Sequence, residues 1–158
     1  MEKLKAKDIV VNDYETISPE ASVKEAAKLI FNGKVRTTGY KPFGVMVVDD
    51  TGRLLGMVSM FDILYHLRPS FLNYEVGSFS IWKGEIEVYV DHFKDLRVEQ
   101  IMSTPVIAVA PDDDLMIVID LMIKKKYRRI PVVDNGKIVG IVYLSDVFYH
   151  LCRTWLKD

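Results

Sequence analysis

Apolar residues follow a helical period in one stretch of the chain and form short continuous runs in the next. The first helical stripe keeps the i, i+3, i+4, i+7 spacing of an amphipathic helix, and it consists of Val23, Ala26, Ala27 and Ile30. Ser22 and Glu25 have the spacing of a capping box at its start, and Asn32-Gly33 marks its end. Two β-branched runs follow at residues 45–48 and 54–58, and the turn-forming residues between them predict a β-hairpin.

The same order of patterns recurs in the second half of the chain, which identifies an internal repeat. At an offset of 92 residues, Ile9 matches Ile101, Pro19 matches Pro111 and Leu29 matches Leu121. At an offset of 84 residues, Gly56 matches Gly140, Asp62 matches Asp146, and Tyr65-His66-Leu67 matches Tyr149-His150-Leu151. The first copy therefore carries eight extra residues, which we place between residues 32 and 43.

Each copy predicts the order strand, helix, strand, strand, helix. In the second copy Asp114 stands at the helix cap position, and Asn135-Gly136 between two apolar runs is a strong hairpin signal. A closing helix begins near Ser59 in one copy and near Ser145 in the other. The predicted fold is α/β (α+β), with unit one at residues 1–67, a connector at 68–96 and unit two at 97–158. The alternation of Glu85 to Val90 gives the connector either an edge strand or short helices.

Composition narrows the class of protein. The 158 residues are 49% apolar and 27% charged with a net charge of -1, which does not favour a nucleic-acid partner. The single cysteine, Cys152, excludes an intramolecular disulfide. The charged N-terminus does not have the pattern of a signal peptide, and no apolar run reaches the length of a membrane span. We expect a cytoplasmic protein without a membrane partner.

The end of the hairpin and the start of the next helix carry the most distinctive residues. The first copy reads Gly56-Met57-Val58-Ser59-Met60-Phe61-Asp62, and the second reads Gly140-Ile141-Val142-Tyr143-Leu144-Ser145-Asp146. In their order and duplication they resemble the CBS motif, as do residues 98–105 and 127–134. The resemblance covers nearly the whole chain except the connector, and it indicates a stand-alone pair of CBS motifs.

This resemblance implies two units that pack with pseudo-twofold symmetry and leave two clefts between them. Such pairs bind AMP, ADP, ATP or related adenosine ligands there, with or without magnesium, and they often form homodimers. We therefore expect a small-molecule nucleotide as ligand, no required cofactor, a homodimer and a regulated protein of unknown identity.

By the same resemblance, Ser59 and Asp62 contact the ribose in the first copy. An ordinary helix N-cap pair has the same spacing, so this alternative stays open. In the second copy Asp146 is the matching ribose ligand, but Tyr143 occupies the hydroxyl position and Ser145 is displaced. Tyr143 could stack on a base or fill the cleft, and Ser145 could cap the final helix instead.

The phosphate would meet basic side chains. Arg128 and Arg129 precede the strand in the second copy, and an arginine fork suits phosphate oxygens. The alternative is a solvated helix end in the run Lys124 to Arg129. The first copy lacks such a pair and offers Arg36, with Lys34 or Lys41 as alternatives, within its enlarged loop, which argues against equal occupancy of the two clefts. The candidate walls for the adenine are Tyr14, Thr16, Thr104 and Val106.

Other functions fit the sequence less well. The residues form no activated nucleophile or phosphate-binding glycine loop, so we expect no enzyme. His66 and His150 are equivalent positions in a repeat, and the sequence supports neither as part of a metal site. Two alternatives remain. One is a structural dimerisation scaffold with non-functional clefts, and the other is a binder of S-adenosylmethionine or NAD.

Overall fold

The two sequence copies fold into two units with the same order of elements. The computed structural model describes residues 3–68 and 83–157. The first unit contains α1 (Ala6–Ile9), β1 (Thr16–Ile17), α2 (Val23–Phe31), β2 (Gly44–Val48), β3 (Leu54–Ser59) and α3 (Met60–Leu67). There follow α4 (Lys83–Phe93), a short 3-10 helix (Val98–Gln100), α5 (Leu115–Lys125), β4 (Arg129–Asp134), β5 (Lys137–Tyr143) and α6 (Leu144–Trp155). The mixed α/β fold of the prediction is confirmed.

Helix starts follow the sequence signals in one unit and differ in the other. At α2 the Ser22 hydroxyl accepts the Glu25 amide at 3.1 Å, and the Glu25 carboxylate accepts the Ser22 amide at 3.3 Å, which confirms the capping box. Asp114 does occupy the N-cap position of α5, but its side chain makes no capping hydrogen bond. The first amide of α5, from Leu115, instead donates to the carbonyl of Leu4 at 2.8 Å. A neighbouring backbone segment thus satisfies a donor that a side-chain cap would otherwise serve.

Each unit is built on one antiparallel hairpin. β2 pairs with β3, and β4 pairs with β5. The turn between β4 and β5 places Asn135 at φ 52° and Gly136 at φ 78°, the left-handed conformations that an Asn-Gly hairpin turn requires. β1 adds a parallel strand to the first hairpin. Its counterpart in the second unit is reduced to a single parallel bridge between Val109 and Val132.

The connector contains a helix. The sequence predicts either an edge strand or short helices there. Residues Lys83–Phe93 form α4, so the edge strand over Glu85 to Val90 is wrong and the helical alternative is confirmed for this part. Phe93, at the end of α4, is buried in the core of the first unit. Its burial ties the end of the helix to that core. The remaining part of the connector, residues 69–82, lies outside the described residues.

The units exchange the segments that lead into them. Ala6 and Ile9 of α1 are buried in the core of the second unit, while Val98 and Ile101 are buried in the core of the first. We call residues 6–11 and 98–103 the crossing segments. A third cluster, formed by Met46, Ile141 and Tyr143, lies between the two hairpins. The pair therefore folds around three connected cores, and neither unit is complete without the other.

The matched glycines of the two copies mark where the crossing segments pass. Met57 and Ser103 exchange backbone hydrogen bonds of 3.0 and 2.8 Å, and Val11 and Ile141 exchange bonds of 2.8 and 3.0 Å. A Cβ on Gly56 would lie 2.9 Å from the Ser103 carbonyl oxygen, and one on Gly140 would lie 3.0 Å from that of Val11. Glycine is needed at both places because a backbone approaches too closely for any side chain.

Candidate functional site

Each motif aspartate faces the crossing segment that belongs to the other unit. Asp62 lies in the first turn of α3 and accepts a hydrogen bond from Ser103. Asp146 lies in the first turn of α6 and lines a cavity of about 550 Å³ together with Val11 and Tyr14. We call the surroundings of Asp62 the Asp62 site and the cavity the Asp146 cleft. The two places are related by the repeat, but their charges are arranged differently.

Within the described part of the chain, Asp62 accepts hydrogen bonds from neutral donors only. Its Oδ2 accepts the Ser59 amide at 2.8 Å and the Ser59 hydroxyl at 2.9 Å, and its Oδ1 accepts the Ser103 hydroxyl at 2.7 Å. The Asp62 amide donates to the Ser59 hydroxyl at 3.1 Å, which completes a capping box. The N-cap alternative for Ser59 and Asp62 is thus confirmed as a structural contact. Both residues are buried, and no ion pair of Asp62 occurs among the described residues.

Arg129 is a buried cation at the centre of the pair. It is 8% exposed, and its Nε has no hydrogen-bond partner. Burial lowers the pKa of the Arg129 guanidinium, and nearby Tyr143 and Asp62 act in the opposite direction. Within residues 3–68 and 83–157, no carboxylate forms an ion pair with it. A buried charge without a direct counter-ion is costly, which is typical of a group held ready for an anion.

Gly44 makes room for this guanidinium. Gly44 pairs with Ser59 at the start of β2, and Arg129 pairs with Tyr143 at the start of β4, so Gly44 and Arg129 are equivalent positions. A Cβ on Gly44 would lie 3.1 Å from Cζ, Nε and Nη1 of Arg129. The repeat therefore provides a cation at one of two equivalent positions and, at the other, a glycine that leaves room for that cation.

Asp146 is held by a cation. Arg36 Nε donates to Asp146 Oδ2 at 2.8 Å and Nη2 donates to Oδ1 at 3.1 Å, a bidentate pair between the enlarged loop of unit one and α6 of unit two. The Thr38 hydroxyl adds a bond of 2.6 Å to Oδ1. Asp146 is 3% exposed and the Arg36 side chain 11%. The Asp146 carboxylate is therefore already neutralised within the protein.

Tyr143 and Ser145 both contact the Arg36 side chain of this ion pair. Tyr143 is buried beneath Arg36, whose Cζ lies 3.8 Å from the ring centroid, a cation–π contact. Burial raises the pKa of the Tyr143 phenol, which the neighbouring arginines partly offset. The Ser145 hydroxyl accepts Arg36 Nη2 at 3.2 Å. The prediction that Ser145 caps the final helix is wrong, because α6 begins at Leu144 with Tyr143 at the N-cap position.

The predicted wall residues divide between the two places. Tyr14 lines the Asp146 cleft, and its hydroxyl donates to the Ile138 carbonyl at 3.3 Å. Thr104 lies beside the Asp62 site, where its hydroxyl donates to the Leu55 carbonyl at 2.9 Å, and half-buried Val106 follows it. Thr16 is exposed on β1 and is not among the residues lining the Asp146 cleft.

The two predicted phosphate ligands of the second unit also separate. The Arg128 side chain is exposed, whereas Arg129 is buried. α5 ends at Lys125, and Lys126 takes a left-handed conformation after it. The lysine run is thus the solvated helix end of the alternative interpretation, and Arg129 does not belong to it.

Two polar residues of the site were missed. Ser103 lies within the CBS-like stretch 98–105, which is the sequence signal that could have pointed to it, and in the structure it forms a backbone bridge with Met57. Thr38 lies in the enlarged loop, which has no counterpart in the second copy, and no sequence signal indicated its contact with Asp146.

Neither a metal-binding cluster nor a membrane-spanning helix occurs in the described ranges. No cluster of three or more His, Cys, Asp and Glu side chains there could hold a metal ion. None of the helices described is long and apolar enough to cross a membrane. His150 lines the Asp146 cleft, while His66 is exposed on α3.

Comparison with known proteins identifies the class of protein that this fold and these residues define. The family model of the CBS domain matches residues 6–69 and 98–153. The chain therefore belongs to the CBS domain family and contains a pair of CBS units. CBSX1, a chloroplastic CBS domain-containing protein of Arabidopsis thaliana, is 27% identical over 143 residues. These residues are 85% of this chain and 58% of the relative, so the chain spans less than two thirds of its length.

Solved structures share the fold over almost the whole chain. CBSX2 in complex with AMP is 24% identical with a TM-score of 0.69, covering 96% of this chain and 98% of that one. The CBS domain pair of protein MJ0100 in complex with 5′-methylthioadenosine and S-adenosyl-L-methionine is 22% identical with a TM-score of 0.67, covering 96% and 98%. At these identities the likeness shows the paired architecture of the two CBS units.

Proposed function

We propose that the protein is a regulatory module that binds an adenine nucleotide, AMP, ADP or ATP, between its two CBS units and transmits occupancy to a dimer or a partner. One observation carries the proposal. Among the described residues, the buried carboxylate of Asp62 is held only by neutral donors, and it lies near the buried guanidinium of Arg129, which has no carboxylate partner there. A nucleotide offers both complements, since its ribose hydroxyls donate and its phosphate is anionic.

The ribose would bind at Asp62. A carboxylate has about four lone-pair sites, and three are used by Ser59 and Ser103. Two of those three donors are hydroxyls, which can rotate away and be replaced by the ribose hydroxyls. The amide of Ser59 would keep the carboxylate in place during the exchange. Ser103 would then be free to donate to the ligand.

The phosphate would bind at Arg129. A phosphate brought to this guanidinium supplies the counter-charge that the described residues lack, and charge-assisted bonds between arginine and phosphate are among the strong ones. Arg128 is exposed and would add long-range attraction only. Thr104 and Val106 would form the wall on which the adenine lies. A magnesium ion could accompany a polyphosphate without any protein ligand.

The relatives support an adenosine ligand but do not select one. One neighbouring structure contains AMP, and another contains 5′-methylthioadenosine and S-adenosyl-L-methionine. The free cation at Arg129 favours a phosphorylated ligand over S-adenosylmethionine, which carries no phosphate. NAD also has phosphates and ribose hydroxyls, so it belongs in the same titration.

Transmission would use the exposed apolar faces of the closing helices. Phe61 is 72% exposed on α3, and Phe148 is 61% exposed on α6. Each helix carries a motif aspartate in its first turn, so a ligand at the helix starts would contact the elements that carry these faces. We propose a homodimer built on these faces, a regulated partner protein, and a cytoplasmic, non-catalytic role.

The test is calorimetric titration of nucleotide-stripped protein with AMP, ADP, ATP, S-adenosylmethionine and NAD. The wild type binds a phosphorylated adenosine ligand, and Asp62→Asn weakens binding by a factor of about 10 to 100, because the amide cannot accept both ribose hydroxyls. Asp120→Asn, an exposed carboxylate on α5, is the matched control and leaves binding unchanged.

A structural scaffold is the second candidate. It is favoured by the neutralised state of Asp146, which leaves that cleft without a free ribose acceptor. The scaffold predicts no heat and no thermal shift with any ligand at millimolar concentration, while the dimer persists.

A further inference from the structure

Arg36 forms a bidentate ion pair with Asp146. A second ligand would need the Asp146 carboxylate to be free. Asp146 is the repeat counterpart of Asp62, yet two of its three hydrogen bonds come from one guanidinium and the third from Thr38. Beside it lies a cavity of about 550 Å³, large enough for a small ligand. The space is present, but the group that would recognise the ribose is occupied.

Backbone hydrogen bonds hold the loop that carries Arg36 in the conformation of this contact. The Arg36 amide donates to the Tyr40 carbonyl at 2.9 Å, and the Gly39 amide donates to the Arg36 carbonyl at 2.8 Å, so residues 36–40 form a closed turn. Gly39 takes φ 94°, which a glycine adopts without strain. Arg36 and Thr38 therefore approach Asp146 from one preformed turn, and little side-chain freedom is lost when the contact forms.

Contacts on the other sides hold the guanidinium in this position. Its plane lies over the Tyr143 ring at 3.8 Å, and Ser145 accepts Nη2. Only Nη1 is buried without a hydrogen-bond partner. The loop belongs to the enlarged part of unit one, so the arrangement has no counterpart at Asp62, where Arg129 makes no ion pair with any residue that the structure describes.

We propose that Arg36 is an internal lock on Asp146, so that the chain binds one adenosine ligand at Asp62 and accepts a second at Asp146 only after Arg36 releases the carboxylate. This inference rests on the proposed function and assigns different roles to the two halves of the pair. A ligand in the Asp146 cleft must replace two charge-assisted hydrogen bonds, which corresponds to a loss of about 100-fold in apparent affinity.

The experiment is calorimetric titration with AMP of nucleotide-stripped wild type, Arg36→Gln, and Arg36→Gln combined with Asp146→Asn. We expect one site per chain in the wild type and two in Arg36→Gln, the second at least tenfold tighter than any weak wild-type site. The double variant returns to one site, because the carboxylate is gone. Lys34→Gln removes an exposed cation from the same loop and leaves the stoichiometry at one.

Thr38→Val provides a second test if Arg36→Gln does not fold. It removes one hydrogen bond from Asp146 and leaves the bidentate pair, so the second site strengthens by less than tenfold. A wild type with two sites, one of which Asp146→Asn abolishes while Arg36→Gln weakens it, would overturn the lock and make Arg36 a phosphate ligand. The proposed function would survive that result. Absence of binding in every variant would overturn both.

Discussion

Replacing Arg129 by methionine should make the ligand-free protein more stable and unable to bind nucleotide. The side chain is 8% exposed, its Nε has no partner, and burial lowers its pKa, so the folded protein bears the cost of a buried charge. Leaving a buried charged donor unsatisfied costs about 1–3 kcal/mol or more. Methionine has a similar length, fills the same space beside Gly44 and removes that cost.

The expected gain is therefore about 1–3 kcal/mol in the free energy of unfolding. For a chain of this size each kcal/mol corresponds to about 2–4 °C in Tm, so Arg129→Met should melt about 2–12 °C higher than the wild type. The assay is thermal unfolding of nucleotide-stripped protein followed by circular dichroism. Arg128→Met is the matched control, because its side chain is exposed and its loss should change stability by less than about 0.5 kcal/mol.

Added ATP separates the structural effect from binding. The wild type should gain stability with ligand concentration, whereas Arg129→Met should not. A Tm for Arg129→Met several degrees below that of the wild type would refute the reasoning, since it would mean that the guanidinium is satisfied within the fold.

Further predictions concern packing, pH and assembly. Gly140→Ala should destabilise the fold by about 1–3 kcal/mol, since the new Cβ meets the Val10 side chain and the Val11 carbonyl, while Val139→Thr on the same strand changes little. Equal melting temperatures for Gly140→Ala and the wild type would contradict this. Burial raises the pKa of the Tyr143 phenol, so the neutral phenol stabilises the fold and this stability is lost as pH rises above about 10. Tyr143→Phe should therefore flatten the decline of Tm above that pH. Identical Tm profiles against pH for the two proteins would contradict this prediction. Phe148→Asp should shift a dimer to monomer in light scattering, and a wild-type monomer at high concentration would remove the dimer proposal.

The architecture could be predicted because its signals are local and duplicated. The stripe beginning at Val23, the capping box at Ser22 and the Asn135-Gly136 turn each specify a short element by periodicity or backbone conformation. Their recurrence at constant offsets then fixed the order of elements. Ser59 and Asp62 were paired for the same reason, since residues three apart at a helix start lie close together.

The exchange of crossing segments could not be predicted in this way. α1 and the segment ending at Ser103 are both short, and each buries two apolar residues. The sequence does not say which of the two similar cores each segment joins. Only the folded chain shows that each crosses to the other unit.

The burial of Arg129 and the ion pair of Arg36 could not be predicted from local sequence signals either. Arg129 is buried beside Gly44, which is distant in sequence, whereas Arg128 is exposed. Arg36 was placed near a cleft, but its pairing with Asp146 depends on a loop that lacks a counterpart in the repeat. Tertiary contact decides the state of both arginines.

The most direct measurement of the central claim is a crystal structure of the protein grown with AMP. The account predicts AMP with its ribose hydroxyls on Asp62, its phosphate on Arg129 and its base against Thr104 and Val106, while Arg36 still binds Asp146. AMP bound in the Asp146 cleft with Arg36 displaced and the Asp62 site unchanged would contradict it.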